Sequence, residues 1–142
     1  MIGLDCNILV QAAFADHPAN AGTLTALQAQ TRQGETLVVP ALVVNEFLHV
    51  ATDPRRFSPP LSMAEALDWI EEFLANPSVR QVEQTEAGVR LTFEWMRRFQ
   101  LGRKRILDTH LAAVLHTHGA RRLMTSNRAD FEVFGVLEIV TP

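Results

Sequence analysis

Four acidic residues occur in sequence surroundings that suggest chemistry. Asp5 lies within the apolar stretch IGLDCNILV, where a carboxylate is rare unless it is paired, hydrogen-bonded or bound to a metal. Glu46 follows the apolar run ALVV and Asn45, Asp108 occurs in ILDTHLAAV, and Asp130 occurs in SNRADF. Carboxylates that share a site repel one another, so they either retain protons or bind a cation. Ligands that are all oxygens favour Mg²⁺ or Mn²⁺.

The elements that must position these acids alternate between strands and helices. Apolar runs predict strands at residues 1–5, 36–40, 79–82, 121–125 and 136–142. Helical patterns are predicted at residues 7–14, 18–32, 41–52, 62–75, 85–99 and 107–118. Alternation with short connections implies an α/β fold of three layers, in which helices cover both faces of a mainly parallel sheet of four to five strands.

Local sequence features define several of these helices. Ser62 and Glu65 have the spacing of a capping box, and Gly119 is expected to end the helix at 107–118. The helix at 62–75 is expected to turn Met63, Leu67, Ile70 and Leu74 inward. The helix at 85–99 is expected to turn Val89, Phe93 and Met96 inward.

The four acids all fall near the expected ligand-binding edge of such a sheet. In parallel sheets this edge lies beyond the carboxyl ends of the strands, where Asp5 and Asp130 follow predicted strands and Glu46 and Asp108 lie on helices. Taken singly, Asp108 and Asp130 could be helix caps, and Glu46 a solvated helix residue. Their joint placement favours a shared site.

Length and composition limit the possible classes of protein. A chain of 142 residues with one cysteine is expected to form a single domain without an internal disulfide. It has no apolar stretch of membrane-spanning length and no charged leader, so we expect a reduced, cytoplasmic protein with no membrane partner. The net charge is −3, yet 12 of the 13 basic residues are arginines that occur in clusters, so local charge matters more than the total.

The series GLDCNILV, VVNEFLHVATDPRRF and LDTHLAAVLHTHGARRLMTSNRADF resembles PIN-domain ribonucleases, specifically the VapC-type toxins of bacterial toxin-antitoxin modules. The resemblance extends from residue 1 to about residue 141, and its metal-binding acids correspond to the four residues already selected. Two positions depart from the family pattern. Cys6 replaces the usual Thr or Ser, and Asn127 stands where many relatives carry another Asp.

The resemblance implies a Mg²⁺-dependent endoribonuclease that hydrolyses RNA phosphodiesters without a protein nucleophile. The metal ligands and catalytic residues would be Asp5, Glu46, Asp108 and Asp130. Asn7 is expected to orient Asp5, and Thr109 or Asn127 to position water or phosphate. The cations expected to hold RNA against the repulsion of the acids are Arg103, Lys104, Arg105 and Arg128.

The resemblance also implies protein partners. A cognate antitoxin is expected to neutralise the ribonuclease, and a homodimer is expected. The helices at 41–52 and 62–75 offer candidate antitoxin contacts, which could equally belong to the core or to a homodimer interface. These candidates are Leu42, Phe47, Trp69 and Phe73.

Alternative functions depend on particular residues. A phosphatase of the haloacid dehalogenase type needs a second Asp where this chain has Asn7, and a thiol hydrolase would need Cys6 to be reactive. A zinc site would need histidines on one helix face, which the spacing of His110, His116 and His118 does not provide. A catalytically inactive PIN-like module that binds protein is the remaining alternative, and the retention of all four acids argues against it.

Overall fold

The computed structural model describes all 142 residues and contains one five-stranded sheet. The strands are β1 (Ile2–Leu4), β2 (Leu37–Pro40), β3 (Val79–Val82), β4 (Arg122–Met124) and β5 (Glu138–Val140). They are all parallel, in the order β3-β2-β1-β4-β5, so β1 lies at the centre. The predicted three-layer α/β/α fold with a parallel sheet is confirmed.

Seven α-helices connect and cover these strands. They are α1 (Cys6–Ala13), α2 (Asn20–Arg32), α3 (Ala41–Ala51), α4 (Met63–Leu74), α5 (Glu86–Arg98), α6 (Ile106–Thr117) and α7 (Arg128–Glu132). A short 3-10 turn at Arg103–Arg105 precedes α6. The first six helices match the predicted ones to within one or two residues at each end. The five-residue α7 was not predicted, because it is too short to show helical periodicity. No helix in the chain is both long enough and apolar enough to span a membrane.

The capping box of α4 is confirmed. The Ser62 hydroxyl accepts a hydrogen bond from the Glu65 backbone N–H at 3.2 Å, and the Glu65 carboxylate accepts one from the Ser62 N–H at 2.7 Å. The predicted inward face of this helix is partly wrong, because Met63 and Leu67 are 51% and 39% exposed. The residues of α4 that are fully buried are Ala66 and Ile70.

The inward face predicted for α5 is also wrong at one position. Phe93 is 55% exposed, whereas Gly88, Thr92 and Trp95 are buried. Gly88 faces α6, and a Cβ atom placed on it would make an ordinary van der Waals contact with the Thr117 hydroxyl at 3.5 Å. The buried face of α5 also includes Trp95, whose ring contacts the rings of His116 and Phe134, and Phe93 is left in solvent.

A close contact between β1 and α6 fixes the position of the functional edge. A Cβ atom on Gly3 would lie 2.3 Å from a terminal carbon of Leu115, a fully buried side chain within a core of 30 apolar residues. Only glycine allows this approach. The contact holds the strand that leads to Asp5 against the helix that carries Asp108.

We expect Gly3→Ala to destabilise the fold by about 1–3 kcal/mol, because the new methyl group overpacks the Leu115 contact. Gly22→Ala is the matched control: it lies in α2 with no atom within 4 Å of the new Cβ, so it should be neutral or stabilising by up to about 1 kcal/mol. Urea unfolding measures both. Equal stability of the two variants would show that the Gly3 contact does not constrain the fold.

Candidate active site

A pocket of about 240 Å³ opens at the carboxyl edge of the sheet. Asp5 directly follows β1, Glu46 lies on α3 and Asp108 lies in the first turn of α6, and all three line this pocket. Asn7 and Asn127 line it as well. The fourth predicted acid, Asp130, lies on α7 outside the pocket wall but close enough for its charge to act on Asp5 and Asp108.

Hydrogen bonds account for the buried carboxylate of Asp5, which is only 8% exposed. Its Oδ2 atom accepts hydrogen bonds from the Asn7 amide and from the Thr125 hydroxyl, each at 2.6 Å. The same Thr125 oxygen accepts the backbone N–H of Asn127 at 2.9 Å. Asn7 thus makes the contact that its predicted orienting role requires, and the residues after β1 and β4 form one network.

Sequence reasoning missed Thr125 as a site residue. It is fully buried and stands directly after β4, at the edge where ligands are expected. Its position at the end of a predicted strand, two residues before Asn127, was the available clue. Only the pairing of β1 with β4 shows that its hydroxyl reaches Asp5.

The carboxylates of the site share one electrostatic field. Burial is the largest cause of the raised pKa of Asp5, Glu46 and Asp108. The negative charge of Asp130 raises the pKa of Asp5 and Asp108 further, and the charges of Asp5 and Asp108 do the same for Glu46. Hydrogen bonds from Thr125, the Cys6 N–H and Asn7 oppose the shift at Asp5. The site therefore disfavours full ionisation unless a cation is added.

Arg105 joins two of the acids. Its Nε atom lies 3.3 Å from Oδ2 of Asp108, and its Nη1 atom lies 3.8 Å from Oδ1 of Asp130. It also donates a hydrogen bond to the backbone carbonyl of Asp130. Arg105 is thus engaged with the acids, whereas Arg103 and Lys104 are exposed in the preceding turn. Of the three cations predicted to hold RNA in this cluster, only those two are free of ion pairs with the acids.

The donor set fits a hard divalent cation, because Asp5, Glu46 and Asp108 offer only carboxylate oxygens to the pocket. Their raised pKa values point the same way, since an added positive charge would relieve the repulsion. As placed, no three His, Cys, Asp or Glu side chains converge on one point. Binding would therefore require carboxylates to reorient.

Two further predicted contacts differ in the structure. Thr109 is fully buried and its hydroxyl donates to the backbone carbonyl of Arg105 at 2.7 Å, so its predicted contact with water or phosphate is wrong. The Arg128 side chain pairs with Glu132 at 3.1 Å and donates to the carbonyl of Ile139 at 3.0 Å, outside the pocket wall. Each of these two side chains donates a hydrogen bond to a backbone carbonyl, and the spacing of residues in the sequence does not predict these hydrogen bonds.

The alternatives that need a thiol or zinc find no support. Cys6 is buried, and burial raises the pKa of its thiol, so the sulfur stays protonated and unreactive at neutral pH. A ring nitrogen of His118 hydrogen-bonds to the carbonyl of Glu83 at 2.7 Å, so this histidine is engaged with the backbone.

The structure brings one unexpected cation to the pocket. Arg56, from the loop after α3, is the one arginine or lysine among the residues that line it. Its charge lowers the pKa of Glu46, which opposes the effects of burial and of the other acids. The neighbouring Arg55 forms two hydrogen bonds with the Asp53 carboxylate, each at 3.1 Å, and the Nε atom of Arg56 lies 3.9 Å from the same carboxylate. Both arginines of the DPRR motif thus lie near Asp53, but only Arg56 also lines the pocket.

Comparisons with known proteins match most of this chain to one family. The family model for the PIN domain matches residues 2–136. Ribonuclease VapC43 of Mycobacterium tuberculosis is 30% identical over 119 residues, which cover 80% of this chain and 77% of that protein.

Two solved structures have the same fold. The sarcin-ricin loop cleaving toxin VapC20 of Mycobacterium tuberculosis superposes with a TM-score of 0.74 at 17% identity and covers 100% of both chains. VapBC2 of Rickettsia felis, bound to a promoter DNA fragment, gives a TM-score of 0.73 at 17% identity and covers 100% of this chain and 99% of its own.

The raised pKa of Asp108 predicts a pH-dependent stability. Without divalent metal, the folded state binds this proton more tightly than the unfolded state, so its contribution to stability falls as pH rises from the ordinary value of 3.8 through the raised value. Asp108→Asn removes that penalty. In EDTA the variant should therefore melt higher than wild type at pH 8, and this advantage should shrink or disappear at pH 5.

Asp53→Asn is the matched control, because it makes the same substitution at an acid whose pKa is lowered by hydrogen bonds from Arg55. Loss of the Asp53 carboxylate should therefore reduce the stability of the folded state at pH 8. Adding Mg²⁺ should stabilise wild type by about 2.7 kcal/mol at a hundredfold excess over Kd, and Asp108→Asn by less. Thermal melts in EDTA and in Mg²⁺ measure these shifts. The same shift for both variants would mean that Asp108 does not share a site with the other acids.

Proposed function

The chain belongs to the PIN domain family, and we propose that it is a VapC-type endoribonuclease toxin that hydrolyses RNA phosphodiesters with Mg²⁺ as cofactor. The observation that carries this proposal is that Asp5, Glu46 and Asp108 line the same pocket, where burial and the neighbouring acids raise their pKa values. The similarity of this chain to a ribonuclease over most of its length supports RNA as the proposed substrate.

The side chains of the pocket divide the work of such a reaction. We propose that Asp5, Glu46 and Asp108, which line the pocket, hold the ion. Asp130, which now forms an ion pair with Arg105, would be the fourth acid of the site. Mg²⁺, when bound, supplies a water of lowered pKa and neutralises charge on the phosphate. Mn²⁺ is a possible substitute, because it accepts the same oxygen ligands. Thr125 and Asn7 hold the Asp5 carboxylate in one orientation, so we propose that the reorientation that metal binding requires occurs at Glu46 and Asp108.

RNA needs positive charge beside these acids. Arg56 lines the pocket itself, and we propose that it binds the phosphate that is cleaved. Exposed Arg103 and Lys104 stay predicted contacts for the flanking phosphates, at the turn that leads into the helix of Asp108. Asn127, at the pocket wall, stays a predicted contact for water or phosphate.

We propose a cognate antitoxin as the protein partner, since the similar structures include the VapBC2 complex. Of the two alternatives for Phe47, an antitoxin contact or a core residue, complete burial favours the core. Leu42, Trp69 and Phe73 are half-buried, and the rings of Trp69 and Phe73 stack with centroids 5.3 Å apart. These three residues stay candidate contacts. The homodimer and the cytoplasmic location stay predictions.

We expect Asp108→Asn to abolish cleavage of a random-sequence single-stranded RNA pool in Mg²⁺ while the circular dichroism spectrum is unchanged, because the pocket loses one carboxylate. EDTA should abolish the wild-type activity, and Mg²⁺ should restore it. Asp68→Asn, which removes the same charge at an exposed position of α4 outside the pocket, should cleave at the wild-type rate.

The inactive protein-binding module makes the opposite prediction, in which wild type cleaves nothing in Mg²⁺ but still binds its antitoxin. A folded Asp108→Asn variant with full activity would remove Asp108 from the mechanism.

Arg56→Ala should lower kcat/KM about 10- to 100-fold, because hydrogen bonds to a charged group contribute about 1.5–3 kcal/mol. Arg55→Ala removes the same charge one residue earlier from a side chain that does not line the pocket, and should change kcat/KM less than about threefold. Steady-state cleavage of one labelled RNA measures both. Equal losses would show that Arg56 acts only through general surface charge.

A further inference from the structure

A second pocket, of about 270 Å³, opens beside the active-site pocket. Two residues, His17 and Phe57, line both pockets. The walls of the second pocket come from the segment between α1 and α2 and from the loop between α3 and α4. A group bound there would therefore lie next to whatever occupies the acidic pocket.

Apolar rings form part of the lining of this second pocket, beside Asp16, His17 and Ser58. The rings of Phe14 and Phe57 stack, with centroids 4.1 Å apart and planes 15° apart, and Pro18 and Pro59 complete the lining. The volume is slightly below the lower end of ordinary ligand pockets, which begin at about 300 Å³. Because Phe14 and Phe57 stack on each other, a planar group bound here would stack on an outer face of this pair.

The polar groups of the pocket are suited to the edge of a neutral ring. The Nδ1 atom of His17 accepts the Ala19 backbone N–H at 3.1 Å, so the neutral imidazole carries its proton on Nε2 and can donate it. Asp16 supplies a carboxylate acceptor. No lysine or arginine lines the pocket, so a phosphate would meet a negative charge there without compensation.

We propose that this pocket, called the base pocket below, binds one nucleobase of the RNA beside the phosphate that is cleaved. The proposal rests on the proposed ribonuclease function and deepens it. Single-stranded RNA is recognised by base stacking on aromatic side chains and by hydrogen bonds to base edges, and the base pocket offers both next to Arg56 and the acids.

The carboxylate of Asp16 gives the base pocket a preference. An acid accepts hydrogen bonds from exocyclic amines, which adenine, cytosine and guanine carry and uracil lacks. The His17 Nε2–H can donate to a ring nitrogen or carbonyl of the same base. Uracil should therefore be the least favoured base at one fixed position next to the cleaved bond.

The test is cleavage of a random-sequence single-stranded RNA pool in Mg²⁺, with the product ends sequenced. Phe57→Leu keeps an apolar side chain but removes the ring, and should lower kcat/KM about 5- to 100-fold and weaken the base preference at one position. Asp16→Ala, an exposed position, should make uracil acceptable at that position without changing the melting temperature. Phe93→Leu, an exposed phenyl ring on α5, is the control and should match wild type.

The outcomes are distinct. Wild-type base preference in both Phe57→Leu and Asp16→Ala would overturn the base pocket while leaving the ribonuclease proposal intact. So would variants that lose only affinity for the antitoxin, because the pocket would then belong to that partner. If wild type cleaves nothing, the ribonuclease proposal fails. Binding of the RNA pool in EDTA then tests the base pocket alone. Equal Kd values for wild type and Phe57→Leu would overturn the base pocket.

Discussion

The burial of Asp5 is the constraint on which the rest of the site depends. A carboxylate at the end of the central strand loses most of its contact with water and must be stabilised by the protein. The Thr125 hydroxyl and the Asn7 amide provide that stabilisation, and Thr125 also receives the N–H of Asn127. The acid is therefore held rigidly, and the segments after β1 and β4 are tied together at the functional edge.

Charge balance around the other acids follows from the same crowding. Arg105 forms ion pairs with Asp108 and Asp130. A different arginine, Arg56, acts on Glu46 through its charge. A divalent cation would have to compete with the first of these arginines for the same carboxylates. The local charge balance therefore depends on one set of side chains, and the proposed metal binding would act on the same set.

Much of the fold was predictable because its determinants are local. Strand positions followed from short apolar runs, and α4 began where the Ser62 and Glu65 spacing indicated. The orientation of α5 was not predictable in the same way, because its apolar residues lie on more than one face. Trp95 is buried because its ring packs against His116 of α6 and against Phe134, whereas Phe93 lies on the face that these contacts leave in solvent.

The sequence by itself determined which acids could act, because carboxylates within or beside apolar segments are unusual and their order along the chain is readable. Only the tertiary structure decided what surrounds them. Thr125 lies 120 residues from Asp5, and Arg56 and His17 reach the pocket from loops that no periodicity describes. Hydrogen bonds and charge interactions of this kind depend on distances of a few ångströms between segments, which are set by strand pairing and helix packing rather than by local sequence.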